Sequence, residues 1–434
     1  MSVMPPDSRG SAAGPPPQPA AGDTDAAGFV GGNLVGLLQG GDELFPAMQR
    51  AMAAAQRQVW LSTYIFHDDA AGSGIAEALR AAARRGVAVH VVVDGFGSLA
   101  TLQRLRGWLA ADGVQLDVFR PLERWTAWLQ PAQLRRLHHK LCVVDEAVAF
   151  VGGINIIDDR IDLTHGPSEL PRLDFAVELR GPVVQQVRRL VQAFATRARL
   201  GLEWRSEVGV LARSRRPVAD TLQLLRELRG RGVGAAAEQG PQPPVQVAFV
   251  VRDNLARRRA IERSYIEAVR ASRSSVDIAC PYFYPRRAFR RSLLAAARRG
   301  VRVRLLMQGK VDYRLAALAA RVLYDELLSQ GVRIFEYTPA FLHAKVAVVD
   351  AGWATVGSSN IDPLSLLLNL EANAVIQDEA FATLLRRRLD AAIEASVEVK
   401  APPLQEGWRR RLSHGFVAWL ANVYLRIAGI TGRY

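Results

Sequence analysis

A chain of 434 residues with 49% apolar content is long enough to bury a large core in two domains or two repeated halves, and this composition excludes a mostly disordered protein. Its formal charge of +14 favours an anionic partner such as nucleic acid, an anionic membrane surface or a phosphorylated substrate. The two cysteines, Cys142 and Cys280, each sit inside an apolar, strand-like run; this predicts buried free thiols in a reducing compartment, and no metal-ligand spacing is present.

In chain order, residues 1–28 are rich in Pro, Gly and Ala and lack a basic stretch followed by an apolar core, so they read as a disordered tail and not as a signal peptide. A first half follows at 29–204. Its apolar run VWLSTYIF (59–66), the segment AAARRGV (81–87), the β-like VAVHVVVDG and the further strand VQLDVF (114–119) lead to HHKLCVVD at 138–145. Residues 205–244 form a surface linker with one short helix, TLQLLRELRG. The second half, 245–400, then repeats the series with VDIACPYF (276–283), AAARRGV (295–301), VRVRLLMQG, VRIFEY (332–337) and HAKVAVVD (343–350). Each half reads helix, strand, helix, strand, helix, strand, motif hairpin, helix, which predicts an α/β sheet with helices on its faces. About nine extra residues precede the first motif, around 123–136, and could form a substrate-side loop. No run approaches ~18 uninterrupted apolar residues, so no transmembrane helix is expected.

The motif H-x-K-x₄-D-x₆-G-[GS]-x-N occurs twice, as His138, Lys140, Asp145, Gly152, Gly153 and Asn155, and as His343, Lys345, Asp350, Gly357, Ser358 and Asn360. Two copies with one spacing, in equivalent places of an internal repeat, argue against coincidence. Lysine usage points the same way. Only four of the 56 basic residues are Lys (Lys140, Lys310, Lys345, Lys400), and two of these lie in the motifs, which suggests a need for a compact ammonium.

On a strand, alternate residues share a face, so His343 and Lys345 point together, away from Ala344 and Val346. The loops GGIN and GSSN, the second opening a helix near Asp362-Pro363, would add free N–H groups and a helix dipole to cradle phosphate. The chemistry suggested is attack on phosphorus. One His is the nucleophile and gives a phosphohistidine, and the other carries the proton to and from the departing and arriving hydroxyls. Two Lys and two Asn would hold the non-bridging oxygens, with no divalent metal needed. A nucleophilic His needs its far ring nitrogen oriented. Glu371 in NLEAN is the candidate in the second half and Asp174 in RLDFAVEL the candidate in the first. Asp145 and Asp350 close a strand before a turn, where Asp forms turns as readily as it catalyses, and both readings stay open. His139 reads as a strand neighbour facing away, His67 as part of a loop, and the aromatics of PYFYP (281–285) as half core, half pocket wall.

At these residues the sequence resembles the phospholipase D superfamily, which carries the same signature in duplicate. Within it, HHKLCVVDEAVAFVGGINI, LHAKVAVVDAGWATVGSSNIDPLSLLLNLEAN and VRDNLARRRAIERSYIEAV resemble bacterial cardiolipin synthases, of the shorter B type without N-terminal transmembrane helices. The resemblance covers roughly residues 33–395. It implies two similar α/β halves sharing one active site about a pseudo-twofold axis, acting without metal or nucleotide. It also implies transfer of a phosphatidyl group from one phosphatidylglycerol to the hydroxyl of another, with release of glycerol. Gly153 departs from the superfamily's usual Ser, as cardiolipin synthases often do.

Other enzymes of the fold (a hydrolytic phospholipase D, a phosphatidylserine synthase, a nuclease) share the phosphohistidine step and differ in the acceptor. A non-catalytic basic scaffold on membrane or nucleic acid should have lost motif residues, and both copies are whole. Residues 401–434 join three consecutive Arg to Phe416, Trp419, Leu420, Val423, Tyr424 and Ile427 at helical spacing. They read either as a helix docked on the core or as an amphipathic helix in the membrane interface. The expectation is a peripheral enzyme on the cytoplasmic face of the membrane, binding phosphatidylglycerol and the anionic surface and no nucleic acid.

Overall fold

The computed structural model describes residues 28–121, 135–163, 166–200, 245–253, 257–310, 323–362 and 369–400. The tails and linker expected at 1–28, 401–434 and 205–244, the extra loop around 123–136 and the helix expected to open at Asp362-Pro363 lie wholly or almost wholly outside these residues.

The first half runs β1 (Val30–Gln39), α1 (Gly40–Ala54), β2 (Gln58–Thr63), α2 (Ala70–Arg84), β3 (Ala88–Asp94), α3 (Leu102–Ala110), β4 (Gln115–Phe119), β5 (Lys140–Val144), β6 (Val148–Gly152), the short pair β7 (Ile161–Asp162) and β8 (Gly166–Pro167), β9 (Phe175–Arg180) and α4 (Val184–Leu200). The second runs β10 (Val245–Arg252), α5 (Ala260–Ala271), β11 (Ser275–Ala279), α6 (Arg287–Arg298), β12 (Arg302–Gln308), β13 (Arg333–Tyr337), β14 (Val346–Val349), β15 (Trp353–Gly357), β16 (Glu371–Gln377), α7 (Glu379–Glu394) and β17 (Val397–Glu398).

One sheet runs through both halves. Outward from its middle the order is β1, β9, β6, β5, β2, β3, β4 on one side and β10, β16, β15, β14, β11, β12, β13 on the other, with β17 added at the far edge. Strand by strand the two lists are the same, which is the pseudo-twofold relation. The seam is the antiparallel pair β1–β10, through Val30↔Val247 and Asn33↔Val245. Each half therefore begins with a strand that the expected element order lacks. The run VGGNLVGLLQ of β1 holds three glycines and so carries a weak strand signal.

Residues alternate between two packed layers. On the outer face of the first half, Val59, Leu61, Val89, Val91, Cys142 and Val144 pack with residues of α1, α2 and α3. In the second half, Val276, Ile278, Val303 and Leu305 pack likewise with α5 and α6. The inner faces meet each other. Leu141, Val143, Val177 and Leu179 share one core with Val346, Val348, Ala354 and Val356, and with Val187 of α4 and Leu385 of α7. Strands covered on both faces read as near-continuous apolar runs; β14 and, Lys140 apart, β5 are such runs, and both are buried at every position. Both cysteines are buried free thiols, as expected.

The repeated AAARRGV marks a helix end. Gly86 and Gly300 have φ of +88° and +85°. The N–H of Val87 donates to Ala82 O at 3.2 Å and that of Gly86 to Ala83 O at 2.8 Å, and Val301 and Gly300 repeat both bonds. This pairing closes a helix on a left-handed glycine, and it hands the chain directly to β3 and β12. Among the described residues no helix is long and apolar enough to cross a membrane.

Candidate active site

The two motifs converge where the halves meet, and the contacts that align them cross the seam. Leu137 bridges Leu370, and Leu173 bridges Leu342. His138 N–H donates to Leu370 O at 3.0 Å, and His343 N–H donates to Leu173 O at 2.9 Å. Each catalytic candidate is thus held beside the first residues of the other half's carboxylate strand. His138 Nδ1 lies 3.1 Å from Glu371 Oε2, and His343 Nδ1 lies 2.6 Å from Asp174 Oδ2. The expectation that each carboxylate serves the histidine of its own half is corrected: the pairs are exchanged. The cause is topological, because β9 and β16 are the strands next to the seam and their first residues face the opposite motif.

A second repeated contact supports each motif. Asp94 Oδ2 accepts Leu137 N–H at 2.8 Å, and Gln308 Oε1 accepts Leu342 N–H at 3.1 Å. These are equivalent residues at the ends of β3 and β12. Sequence reasoning passed over them, although the repeated VVVDG and LLMQG held the signal. Asp94 is fully buried beside Arg136, whose Nη1 lies 3.8 Å from Oδ1. Tyr64, also overlooked, packs its ring against His138 with centroids 4.9 Å apart, and Lys140 Nζ lies over the same ring.

Lys140 Nζ donates to His138 O at 2.6 Å, and Lys345 Nζ donates to His343 O. Asn155 Oδ1 accepts Ile65 N–H at 3.3 Å. The glycine loops work differently from the expectation. The N–H groups of Gly153, Ser358 and Gly357 are taken by Phe175 O, Ala372 O and Lys345 O. Gly152 and Gly357 lie so close to the next strand that a Cβ would come 2.6 Å from Ala176 Cα and 2.6 Å from Ala372 O, respectively. They space strands. GGIN is followed by turns and the β7–β8 pair, not by a helix.

Asp145 and Asp350 have the geometry of turn formers. Asp145 accepts the N–H groups of Gln56, Arg57 and Gln58 at 2.6–2.8 Å. Asp350 accepts those of Arg273, Ser274 and Ser275 at 2.8–2.9 Å. Each stands at the opposite end of its strand from the lysine, with φ near +50°, a conformation Asp tolerates. They staple the hairpin to the start of β2 and of β11 and do not reach the histidines. His139 faces away as expected, buried with Nε2 3.0 Å from Ser62 Oγ.

Within the pseudo-symmetry the two dyads differ. Ser358 Oγ–H donates to Glu371 Oε2 at 2.5 Å. The equivalent Gly153 has no such group, and a Cβ there would fall 2.8 Å from Asp174 Oδ2 and 3.0 Å from its Cγ. The shorter carboxylate has moved into the space of the absent side chain. On the seam, Arg252 pairs in register with Glu371. The corresponding residue in the first half is Gly40, whose N–H donates to Asp174 O at 2.9 Å. Beside it Asp159 Oδ2 accepts Gly41 N–H at 2.5 Å. One carboxylate therefore has a cation for a neighbour and the other has an anion.

Burial pushes Asp174 up to about 7; Lys345 opposes the rise and Asp159 adds to it. Burial acts against the Glu371 charge as well, but His138, Lys140 and the Ser358 hydroxyl outweigh it and hold that carboxyl below its usual range. Burial lowers both histidines, and each also feels the lysine of the other half. Lys140 is brought down to about 7 by burial, and Lys345 is lowered for the same reason. Two buried lysines thus stand beside two imidazoles that contact carboxylates, a cluster whose chemistry suits one anionic group. Among the described residues, no group of three or more His, Cys, Asp or Glu side chains is arranged to hold a metal ion.

Comparison with known proteins agrees with this geometry. A sequence profile for the cardiolipin synthase, PLD-like domain matches residues 48–165 and 265–393, one match per half. Cardiolipin synthase B of Escherichia coli K12 is 36% identical over 369 residues, covering 85% of this chain and 82% of that one. Cardiolipin synthase A of Pseudomonas fluorescens is 33% identical over 81% of this chain and 66% of its own. The crystal structure of phosphatidylserine synthase from Haemophilus influenzae superposes with a TM-score of 0.63 over 94% of this chain and 96% of that one; at 13% identity it speaks for the fold alone.

Proposed function

The chain belongs to the cardiolipin synthase family and is a phosphatidyltransferase with two phospholipase D-like halves, and on that premise we propose which of its atoms carry the reaction. Nε2 of one histidine attacks the phosphorus of phosphatidylglycerol, and the P–O bond to glycerol breaks. The other histidine gives its proton to the leaving glycerol alkoxide. A second phosphatidylglycerol then enters, and its hydroxyl gives a proton to that same histidine. Its oxygen forms the new P–O bond as the P–N bond breaks, yielding cardiolipin and the free enzyme.

Lys140, Lys345, Asn155 and Asn360 hold the non-bridging oxygens, and the arriving anion supplies the counter-charge that burial denies the lysines. Asn360 Oδ1 is buried without a partner, so the side chain that would turn its amide to the phosphate is not bound elsewhere through that atom. Glu371 and Asp174 fix the Nδ1–H tautomers and leave each Nε2 to react. No cofactor takes part. The enzyme works at the cytoplasmic face of the membrane as a peripheral protein.

The observation that carries this reading is the exchanged pair of histidine–carboxylate contacts, which makes one composite site out of two motifs. The test is incubation of the pure protein with labelled phosphatidylglycerol alone, then with phosphatidylethanolamine or glycerol added. Cardiolipin and free glycerol from phosphatidylglycerol alone support the assignment. Release of phosphatidic acid alone would make the protein a hydrolase.

A further inference from the structure

The residues around the catalytic edge differ between the halves in a way the reaction does not require. In the first half, the helices starting at this edge carry carboxylates that the fold itself uses. Asp69 caps α2 through Gly72 N–H at 2.9 Å, and Asp159 and Glu43 accept Gly41 and Gln39 N–H at the start of α1. Asp42 and Asp68 are paired with Arg160 and Arg104. In the second half, the matching helix starts are arginine-rich. Arg257, Arg258 and Arg259 lead into α5, and Arg286, Arg287, Arg290 and Arg291 surround the start of α6. Neither N-cap, Arg259 or Arg286, makes a side-chain cap bond, and the first turn of α6 holds no acid. Cations at the positive end of a helix dipole destabilise the helix; at α5 Glu262 in the first turn offsets them, and at α6 no acid in the first turn does.

A second observation concerns the first half of the same edge. Leu99, in the loop after β3, is 48% exposed, and Leu163 and Leu170, in the excursion between Asn155 and Asp174, are 56% and 50% exposed. These loops adjoin the site: Ser98 Oγ donates to Tyr64 O at 3.1 Å, and Arg172 N–H donates to Asp159 O at 2.9 Å. Arg257, Arg258, Arg259, Arg287 and Arg291 are exposed, and Tyr282 and Tyr284 lie half-buried between the two groups of arginines in sequence.

We propose that the catalytic edge is itself the membrane-docking surface, with Leu99, Leu163 and Leu170 entering the acyl boundary and the α5–α6 arginines seated among anionic headgroups. An exposed leucine and an exposed arginine suit two depths of one interface, and the mouth of the site then opens onto the layer that holds the lipid. The proposal rests on the reading of phospholipid as substrate. It places docking on the described fold, independently of residues 401–434.

The test uses full-length protein and vesicles of equimolar phosphatidylcholine and phosphatidylglycerol, with turnover on detergent-dispersed phosphatidylglycerol measured in parallel. Arg287→Gln/Arg291→Gln should weaken vesicle partition roughly 25-fold, about fivefold per arginine, with no further loss on pure phosphatidylcholine. Leu163→Ser/Leu170→Ser should weaken partition on both vesicle types, by about tenfold per leucine. Both variants should keep turnover in detergent, and the arginine variant should melt no lower than wild type, because Arg287 stands at the first position of α6. Binding at wild-type strength by both variants would overturn the proposal, as would binding abolished by deleting 402–434 alone. Weakened DNA binding with vesicle binding unchanged would assign the arginines to nucleic acid and overturn it too. Partition needs no turnover, so failure of the proposed reaction would show as silent detergent assays beside intact, arginine-dependent docking.

Discussion

Gly153→Ser restores the residue usual in the wider superfamily, yet it should disable the Asp174–His343 dyad. A Cβ at this position would lie 2.8 Å from Asp174 Oδ2 and 3.0 Å from Cγ, well inside contact distance. The backbone of Gly153 is tied to Phe175 O, so Asp174 is the group that must move, and moving it breaks the 2.6 Å contact with His343 Nδ1. A hydrogen bond between an imidazole and a carboxylate contributes about 1.5–3 kcal/mol. Where that bond is needed in the transition state, its loss lowers kcat by about 10- to 150-fold. The second half shows how the clash is avoided, since Ser358 serves a longer carboxylate at Glu371. Adding Asp174→Glu to Gly153→Ser should therefore recover part of the rate, a positive coupling between neighbours. The assay is initial rate of lipid product on detergent-dispersed phosphatidylglycerol, with melting curves to confirm folding. A folded Gly153→Ser enzyme near the wild-type rate would refute the steric argument. So would a double variant slower than the two single losses multiplied.

His138→Ala and His343→Ala should each leave a folded protein with no transferase activity, because one site needs both a nucleophile and a proton carrier; lipid product from either variant at near-normal rate would contradict the shared site. Lys140→Arg and Lys345→Arg should be severely impaired despite the conserved charge, since each Nζ is buried against its own motif's carbonyl with no room for a planar fork; rates close to wild type would show that charge alone suffices. Activity should survive EDTA, and loss on chelation with recovery on one divalent ion would be the contrary result. Burial raises Asp174 to about 7, so the folded state holds that proton more tightly than the unfolded chain does. Its stabilising contribution is full below about pH 4 and is lost as pH rises through about 7. Asp174→Asn should accordingly lose less melting temperature than wild type between about pH 4 and about pH 8, and parallel melting curves would contradict the raised value.

The duplicated motif, the repeated AAARRGV segment and most strands of each half, the opening strands β1 and β10 apart, were legible because each is a local pattern. AAARRGV encodes a left-handed helix stop, and HHKLCVVD and HAKVAVVD encode strands buried on both faces. The choice of Glu371 and Asp174 as partners was also legible, from their place at the start of a β-like run. Their exchange between halves was not, because it depends on which strands flank the seam, and one seam strand, β1, is obscured by glycines. Spacing also could not separate a catalytic Asp from a turn-forming one at Asp145 and Asp350, since both uses place Asp at a strand end. Gly152 and Gly357 read as phosphate-binding for a similar reason: a glycine needed for close strand packing looks the same in sequence as one needed for a ligand.

The exchanged dyads are the central claim, and histidine-selective ¹⁵N spectra of the folded protein test them most directly. Asp174→Asn should shift the ring nitrogens of His343 and leave His138 in place, and Glu371→Gln should do the reverse. Resonances are assigned through the two histidine-to-alanine variants. If Asp174→Asn moved His138, or Glu371→Gln moved His343, with the other ring unchanged, each carboxylate would serve its own half and the composite site described here would be wrong.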